Sequence, residues 1–222
     1  MKEDGASREN TETAVFSLIE DGLAELGLPA DERPVAQLTQ LVLLLTEWAG
    51  RINLTGHRDP LQLTAHLVMD AAALSQALPE LASISRLADL GSGAGFPGLP
   101  VAILHPDLEV ALVESRLKRH HFQREACRKL QLPNVIPILG RSDEIEVQPS
   151  DMVVAQAMAQ PAEALELMQP WARPGGWVVL PASAGAEEPV IPQGLTGSSL
   201  REYVVPGTGR QRRLWLARLE SR

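Results

Sequence analysis

Between Pro34 and Ile52 the residues Leu38, Leu41, Val42, Leu45, Trp48 and Ile52 recur at intervals of three and four. That is the spacing of one face of an α-helix. Pro34 suits its first turn, where a missing N–H costs nothing. An earlier amphipathic stretch from about Thr13 to Leu26 predicts another helix, with Gly27 as its stop. The polar residues 1–10 before it are expected to fray. Asn53-Leu54-Thr55-Gly56 breaks the period, and Asp59-Pro60 reads as the cap and first turn of a third helix over about 60–78.

From Ser85 onward short apolar runs alternate with helical stretches. The runs predict strands near 86–90, 109–113, 134–139, 151–155 and 176–180, with helices near 97–104, 116–130 and 161–169 between them. Such alternation implies an α/β fold, a doubly wound and mostly parallel sheet with helices on both faces. The tail differs. Glu202–Val205 and Leu214–Ala217 flank Pro206-Gly207-Thr208-Gly209, which predicts a final antiparallel pair. The expected organisation is a helical extension over residues 1–80 packed on a core over 81–222.

Composition narrows this only a little. The 222 residues fit one sizeable domain with an appendage. No apolar run approaches the roughly 18 residues a membrane span needs, and the start Met1-Lys2-Glu3-Asp4-Gly5 is charged, so neither membrane anchorage nor a signal peptide is expected. A single cysteine, Cys127, excludes an internal disulfide framework and a cysteine metal cage, and a cytoplasmic setting is the simplest expectation. A net charge of −8 argues against non-specific coating of nucleic acid but leaves room for a local basic patch.

The chemistry concentrates at Asp89-Leu90-Gly91-Ser92-Gly93-Ala94-Gly95-Phe96-Pro97-Gly98, where an apolar strand runs into glycines. Glycine is needed where a backbone must turn sharply and approach a ligand without a Cβ in the way. Gly93, Gly95 and Gly98 match the dinucleotide spacing G-x-G-x-x-G, so a nicotinamide-dependent oxidoreductase is an alternative. Against it, the glycine that closely follows the strand is Gly91, and Phe96 then stands where the third glycine belongs. Asp89 suits a ligand with a cationic amino-acid end. About 20 residues on, Glu114 ends the second strand and can accept hydrogen bonds from two ribose hydroxyls. Ser142-Asp143-Glu144 follows the third strand, where a carboxylate could take an adenine amino group or simply cap an exposed turn.

Five blocks then occur in order: Asn53-Leu54-Thr55, Asp59-Pro60, His66-Leu67-Val68-Met69-Asp70, the glycine block with its Phe96-Pro97-Gly98 extension, and Gly140-Arg141-Ser142-Asp143. Together they resemble the ribosomal RNA small subunit methyltransferase G family, also called the glucose-inhibited division protein B family, over roughly residues 35–180. The resemblance implies a class I methyltransferase fold, S-adenosyl-L-methionine as cofactor, and transfer to N7 of a guanine in 16S rRNA of the small ribosomal subunit. It places cofactor contacts on Gly91, Phe96, Ser142 and Asp143, beside Gly93, Gly95 and Glu114 from the loop reading, with Gln156 in the segment after the fourth strand. Two positions depart from the family's pattern. Ala155-Gln156-Ala157 stands where Ser-Arg-Ala is usual, and Leu180-Pro181-Ala182 where Leu-Lys-Gly is usual, so two cations are missing. A catalytically inactive, methyltransferase-like RNA-binding module is therefore a further alternative.

Guanine N7 bears a lone pair and no proton, so its methylation needs positioning about 3 Å from the methyl carbon and no general base. The signatures of other acceptors are missing: Cys127 lies mid-helix, and no Asn-Pro-Pro-aromatic tetrad follows the fourth strand. His66 and Asp70 share a helix face and, with Asn53, are candidates for the acceptor pocket, Asp70 favouring the charge that develops on the methylated base. An ordinary surface pair and a self-bonded turn Asn are the plainer readings. Arg116, Lys118, Arg119, Arg124, Arg128 and Lys129, then Arg210, Arg212 and Arg213, are candidate rRNA phosphate contacts or solvated faces. His120 and His121 have no third ligand at metal spacing. The expected protein is a monomer.

Overall fold

The computed structural model describes residues 2–156 and 158–221; Met1 and Ala157, both cited above from the sequence, lie outside them. Two long helices open the chain, α1 (Lys2–Glu25) and α2 (Glu32–Ala49). The first begins well before Thr13: residues 2–10, expected to fray, are helical. It packs through Val15, Ile19 and Leu23, all fully buried.

The third predicted helix is present but not uniform. A short α3 (Pro60–Leu63) starts at Asp59, whose carboxylate accepts from the Gln62 N–H at 3.0 Å. A π-helical turn over Thr64–Val68 follows, and α4 (Met69–Gln76) completes the rod. In the π turn the Met69 N–H reaches back to the Thr64 carbonyl. Such turns interrupt the regular ladder and change which way the enclosed side chains point.

The remaining elements alternate as the pattern requires: β1 (Arg86–Leu90), α5 (Gly98–Leu104), β2 (Glu109–Glu114), α6 (Leu117–Leu130), β3 (Val135–Leu139), β4 (Ser150–Ala155), α7 (Pro161–Met168), β5 (Ala172–Ser183), β6 (Leu195–Val205) and β7 (Arg210–Leu219). They form a seven-stranded sheet of order β3-β2-β1-β4-β5-β7-β6. The first five strands are parallel, and β7 inserts antiparallel between β5 and β6.

Period-two alternation sends Leu87, Val110, Leu112, Met152, Val154 and Leu216 to one face of the sheet, with α1, α2, α4, α5 and α6. Ala88, Leu90, Val113, Val153, Val178 and Trp215 face the other side, under α7 and Trp171. Both faces are covered, but unequally, because no helix joins β3 to β4 or β5 to β6. β1 neighbours both β2 and β4, so the connections leaving β1 and β4 diverge. A crevice opens at their carboxyl ends, the point where such sheets bind ligands.

Candidate functional site

The loop after β1 turns through positive backbone angles at Gly91 (φ 65°), Gly93 (φ 59°) and Gly95 (φ 84°), which explains why glycine stands at each. The loop is stitched from behind. Ser92 N–H donates to the Val113 carbonyl at 3.1 Å, and the buried Gln123 of α6 donates to Ser92 Oγ at 2.9 Å and to the Gly93 carbonyl at 2.8 Å. A fixed loop of this kind presents its backbone to a ligand without reordering on binding.

Glu114, at the end of β2, is nearly buried. Its Oε2 accepts from the Gly93 N–H at 2.9 Å and its Oε1 from the Arg116 N–H at 2.7 Å, with the Arg119 guanidinium 3.8 Å away. Each carboxylate oxygen keeps a lone pair beyond these bonds.

Asp89 is placed differently from its sequence expectation. It is fully buried behind the loop, where Oδ2 accepts from the Gly98 N–H at 2.9 Å and Oδ1 has no partner. Burial raises its carboxyl to about 7, with Glu114 adding to the shift and the Gly98 bond opposing it. Asp89 therefore braces the glycine loop from within instead of facing a ligand.

Beyond β3, the Ser142 carbonyl accepts from the Trp171 indole N–H at 3.0 Å, and its Oγ lies 3.9 Å from Met158 Sδ. The exposed Asp143 forms two bonds to Arg141, at 2.9 and 3.1 Å, which hold its carboxyl below the ordinary range. Met158 also covers the loop: a Cβ added at Gly91 would lie 3.1 Å from its Cγ. Sequence reading missed Met158 and Gln123. Their signal, an apolar residue just after β4 and an amide on a core-facing helix position, is common elsewhere.

A cavity lies beside this loop. His66, Asp70, Phe96, Gln156 and Tyr203 line it together with the neighbouring apolar residues. Thus the structure brings together His66, Asp70, Phe96 and Gln156, all singled out from the sequence, and adds Tyr203, which was not. Asn53 lies on the exposed turn after α2 and does not line this cavity.

The Asp70 carboxylate is already engaged. Its Oδ1 accepts from Tyr203 Oη at 2.8 Å and lies 3.3 Å from Arg212 Nε, and its Oδ2 accepts from Arg210 Nη2 at 2.8 Å. Arg210 also reaches the His66 carbonyl, at 3.5 Å, within the π turn. This corrects two expectations. Asp70 is compensated by two arginines and so does not stand free to meet a cationic base. Arg210 and Arg212 in turn spend their charge on Asp70, and Arg213 pairs with Glu202 at 3.0 Å.

His66 stacks on His57, ring centroids 4.7 Å apart, and its Nδ1 is buried without a partner. Burial, His57 and Arg210 hold its pKa below 6.5, with Asp70 working the other way. Cys127 is partly buried on α6, and burial pushes its thiol up to about 11. Among the described residues no group of His, Cys, Asp and Glu could hold a metal ion, and no helix is long and apolar enough to cross a membrane.

The family profile described as rRNA small subunit methyltransferase G matches residues 34–208. A ribosomal RNA small subunit methyltransferase G of Chromohalobacter salexigens is 37% identical over 196 residues, 87% of this chain and 92% of that protein. Its counterpart in an Azoarcus species is 34% identical over 197 residues, with the same two coverages. Among solved structures, a mutant of MtNAS superposes with a TM-score of 0.55 at 15% identity, covering 82% of this chain and 73% of that one. TrmN from Thermus thermophilus gives 0.50 at 20% identity, over 70% and 53%. At these identities the structural matches speak for the fold alone.

Proposed function

Because this chain belongs to the rRNA small subunit methyltransferase G family, we propose that it transfers a methyl group from S-adenosyl-L-methionine to N7 of a guanine in 16S rRNA. The observation that carries the reading is a cavity beside the glycine loop at the switch point of the sheet. His66, Phe96, Gln156 and Tyr203 line it, and Phe96 directly follows the loop of Gly91, Gly93 and Gly95, which is fastened to Glu114.

The residues present fit the cofactor. Gly93 leaves space that a side chain would fill, since a Cβ there would come no closer than 3.8 Å to Arg119, whereas at Gly91 and Gly95 a Cβ would meet Met158 and Leu99. Gly91, Gly93 and Gly95 would hold the amino-acid end by backbone groups, Glu114 the ribose hydroxyls, and Ser142 and Asp143 the adenine edge. Asp143 serves by its backbone position as much as by its carboxylate, which Arg141 occupies. Phe96 and Met158 supply apolar walls, and Gln156 lines the cavity beside the loop. When bound, S-adenosyl-L-methionine supplies a methyl carbon on a positively charged sulfur.

The protein's own contribution is positional. Guanine N7 offers a lone pair and releases no proton, so the site needs orientation and exclusion of water, with no acid–base dyad. His66, kept neutral by its surroundings, lines the acceptor side, where its ring can face a guanine. Asp70 and Tyr203 act through the wall they build, and Asn53 is an outlying candidate for a base edge. The helices of residues 1–80 form the acceptor side, and residues 81–222 the cofactor core. The reading includes a monomeric protein acting in the cytoplasm.

Incubation of the purified protein with unmodified small subunits and labelled donor tests this, with mass spectrometry of the rRNA to locate the label. Transfer to a guanine N7 supports it. Cofactor binding without transfer would favour the inactive RNA-binding module instead.

A further inference from the structure

Between α2 and α6, sharing no lining residue with the cavity beside the glycine loop, runs an open groove lined by Trp48, His121, Arg124, Glu125 and Arg128. A second groove shares Arg128 and continues to Arg33. Helix α6 carries five Lys or Arg against one Glu, in a chain whose net charge is −8. That single acid, Glu125, is neutralised by Arg128 at 2.9 Å and Lys129 at 3.6 Å. Arg124 and Arg33 are exposed and have no ion-pair partner among the described residues. Trp48 is half-buried, its ring set edge-to-face against the core residue Phe122 at 5.6 Å. This packing fixes the indole while leaving part of it in the groove.

We infer that this groove is a second RNA contact, taking an unpaired nucleotide of the substrate other than the one methylated. Its base stacks on Trp48, and the adjoining phosphates pair with Arg124 and Arg33. An aromatic platform flanked by such unpaired cations is the chemistry that holds single strands without reading sequence. Helix α6 also links the two places. Its first turn is anchored beside Glu114 through the Arg116 N–H, and Arg124 follows about 12 Å further along the axis. The inference rests on the reading that the substrate is RNA.

The test is equilibrium binding of fluorescent oligoadenylate to the full-length protein, measured by anisotropy over a salt series. Stacking of one base predicts that Trp48→Leu weakens binding about tenfold, whereas Trp48→Phe keeps most of it. Arg124→Gln, a surface change that leaves the core untouched, should lower the slope of log affinity against log salt by about 0.7. Affinity for S-adenosylhomocysteine should stay the same in all three. Unchanged binding by Trp48→Leu, or an unchanged slope for Arg124→Gln, overturns the inference. So does capture of polyglutamate in place of oligoadenylate, which would assign the groove to an acidic protein segment. Methyl transfer to small subunits that ignores both variants sinks this inference alone; Trp48-dependent RNA binding without any transfer upholds it while removing the functional reading.

Discussion

The hydroxyl of Tyr203 donates to Asp70 across 2.8 Å, joining strand β6 of the C-terminal hairpin to helix α4. The two residues are 133 positions apart, and Tyr203 is the only tyrosine in the chain. Together they line the cavity beside the glycine loop. Tyr203→Phe removes the donor and leaves Arg210 and Arg212 on Asp70. It should cost about 1 kcal/mol in urea denaturation. It should also lower kcat/KM for methyl transfer without altering the affinity for S-adenosylhomocysteine. Loss of cofactor affinity would mean that the bond serves the whole crevice.

Gly95 turns at φ 84°, and a Cβ there would lie 2.4 Å from Leu99 Cδ1. Gly95→Ala therefore meets both backbone strain and a clash with a core side chain, and should destabilise the fold by about 1–3 kcal/mol. Calorimetry should find S-adenosylhomocysteine bound at least about tenfold more weakly, a difference of about 1.4 kcal/mol. Wild-type affinity in a folded variant would remove the loop from the cofactor site.

Asp89 has a carboxyl raised from 3.8 to about 7 by burial. A raised acid binds its proton more tightly folded than unfolded, so its stabilising contribution is complete below pH 3.8 and is lost as pH climbs to about 7. The ceiling of the loss is on the order of 4 kcal/mol. Asp89→Asn cannot ionise and should flatten this dependence. Urea denaturation of both proteins from pH 4 to 8 measures it; parallel curves would show that Asp89 stays charged in the fold.

His66 is held below its ordinary 6.5, so it is neutral at neutral pH and charges only in more acidic solution. If the neutral His66 ring must meet the acceptor base, kcat/KM should fall on an acid limb centred below pH 6.5. His66→Gln should be slower overall and should lack that limb. An acid limb that survives in the variant would belong to another group.

Gln156 lines the cavity beside the glycine loop, at a position where the resemblance leads one to expect an arginine. Gln156→Arg should raise turnover or cofactor affinity if the missing cation limits this protein. An unchanged kcat/KM and cofactor affinity would show that the position tolerates the exchange.

What could be read from the sequence followed from local rules. Apolar periodicity located the five parallel strands and their helices to within a few residues, because period two and period 3.6 are set by backbone geometry alone. Gly91, Gly93 and Gly95 were recognisable because a strand that ends in closely spaced glycines signals a turn few other residues can make. The antiparallel ending was legible from the turn at 206–209. Tertiary structure decided the partners of charge. Asp70 looked free on its helix, yet Arg210 and Arg212 arrive from a strand 140 positions away. Asp89 looked like a ligand group, but the fold buried it behind Gly98. Gln123, Met158 and Tyr203 gained their roles only when distant elements met. Electrostatic and hydrogen-bond partners are fixed by distance in space, which sequence spacing does not encode beyond one helical turn or one strand pair.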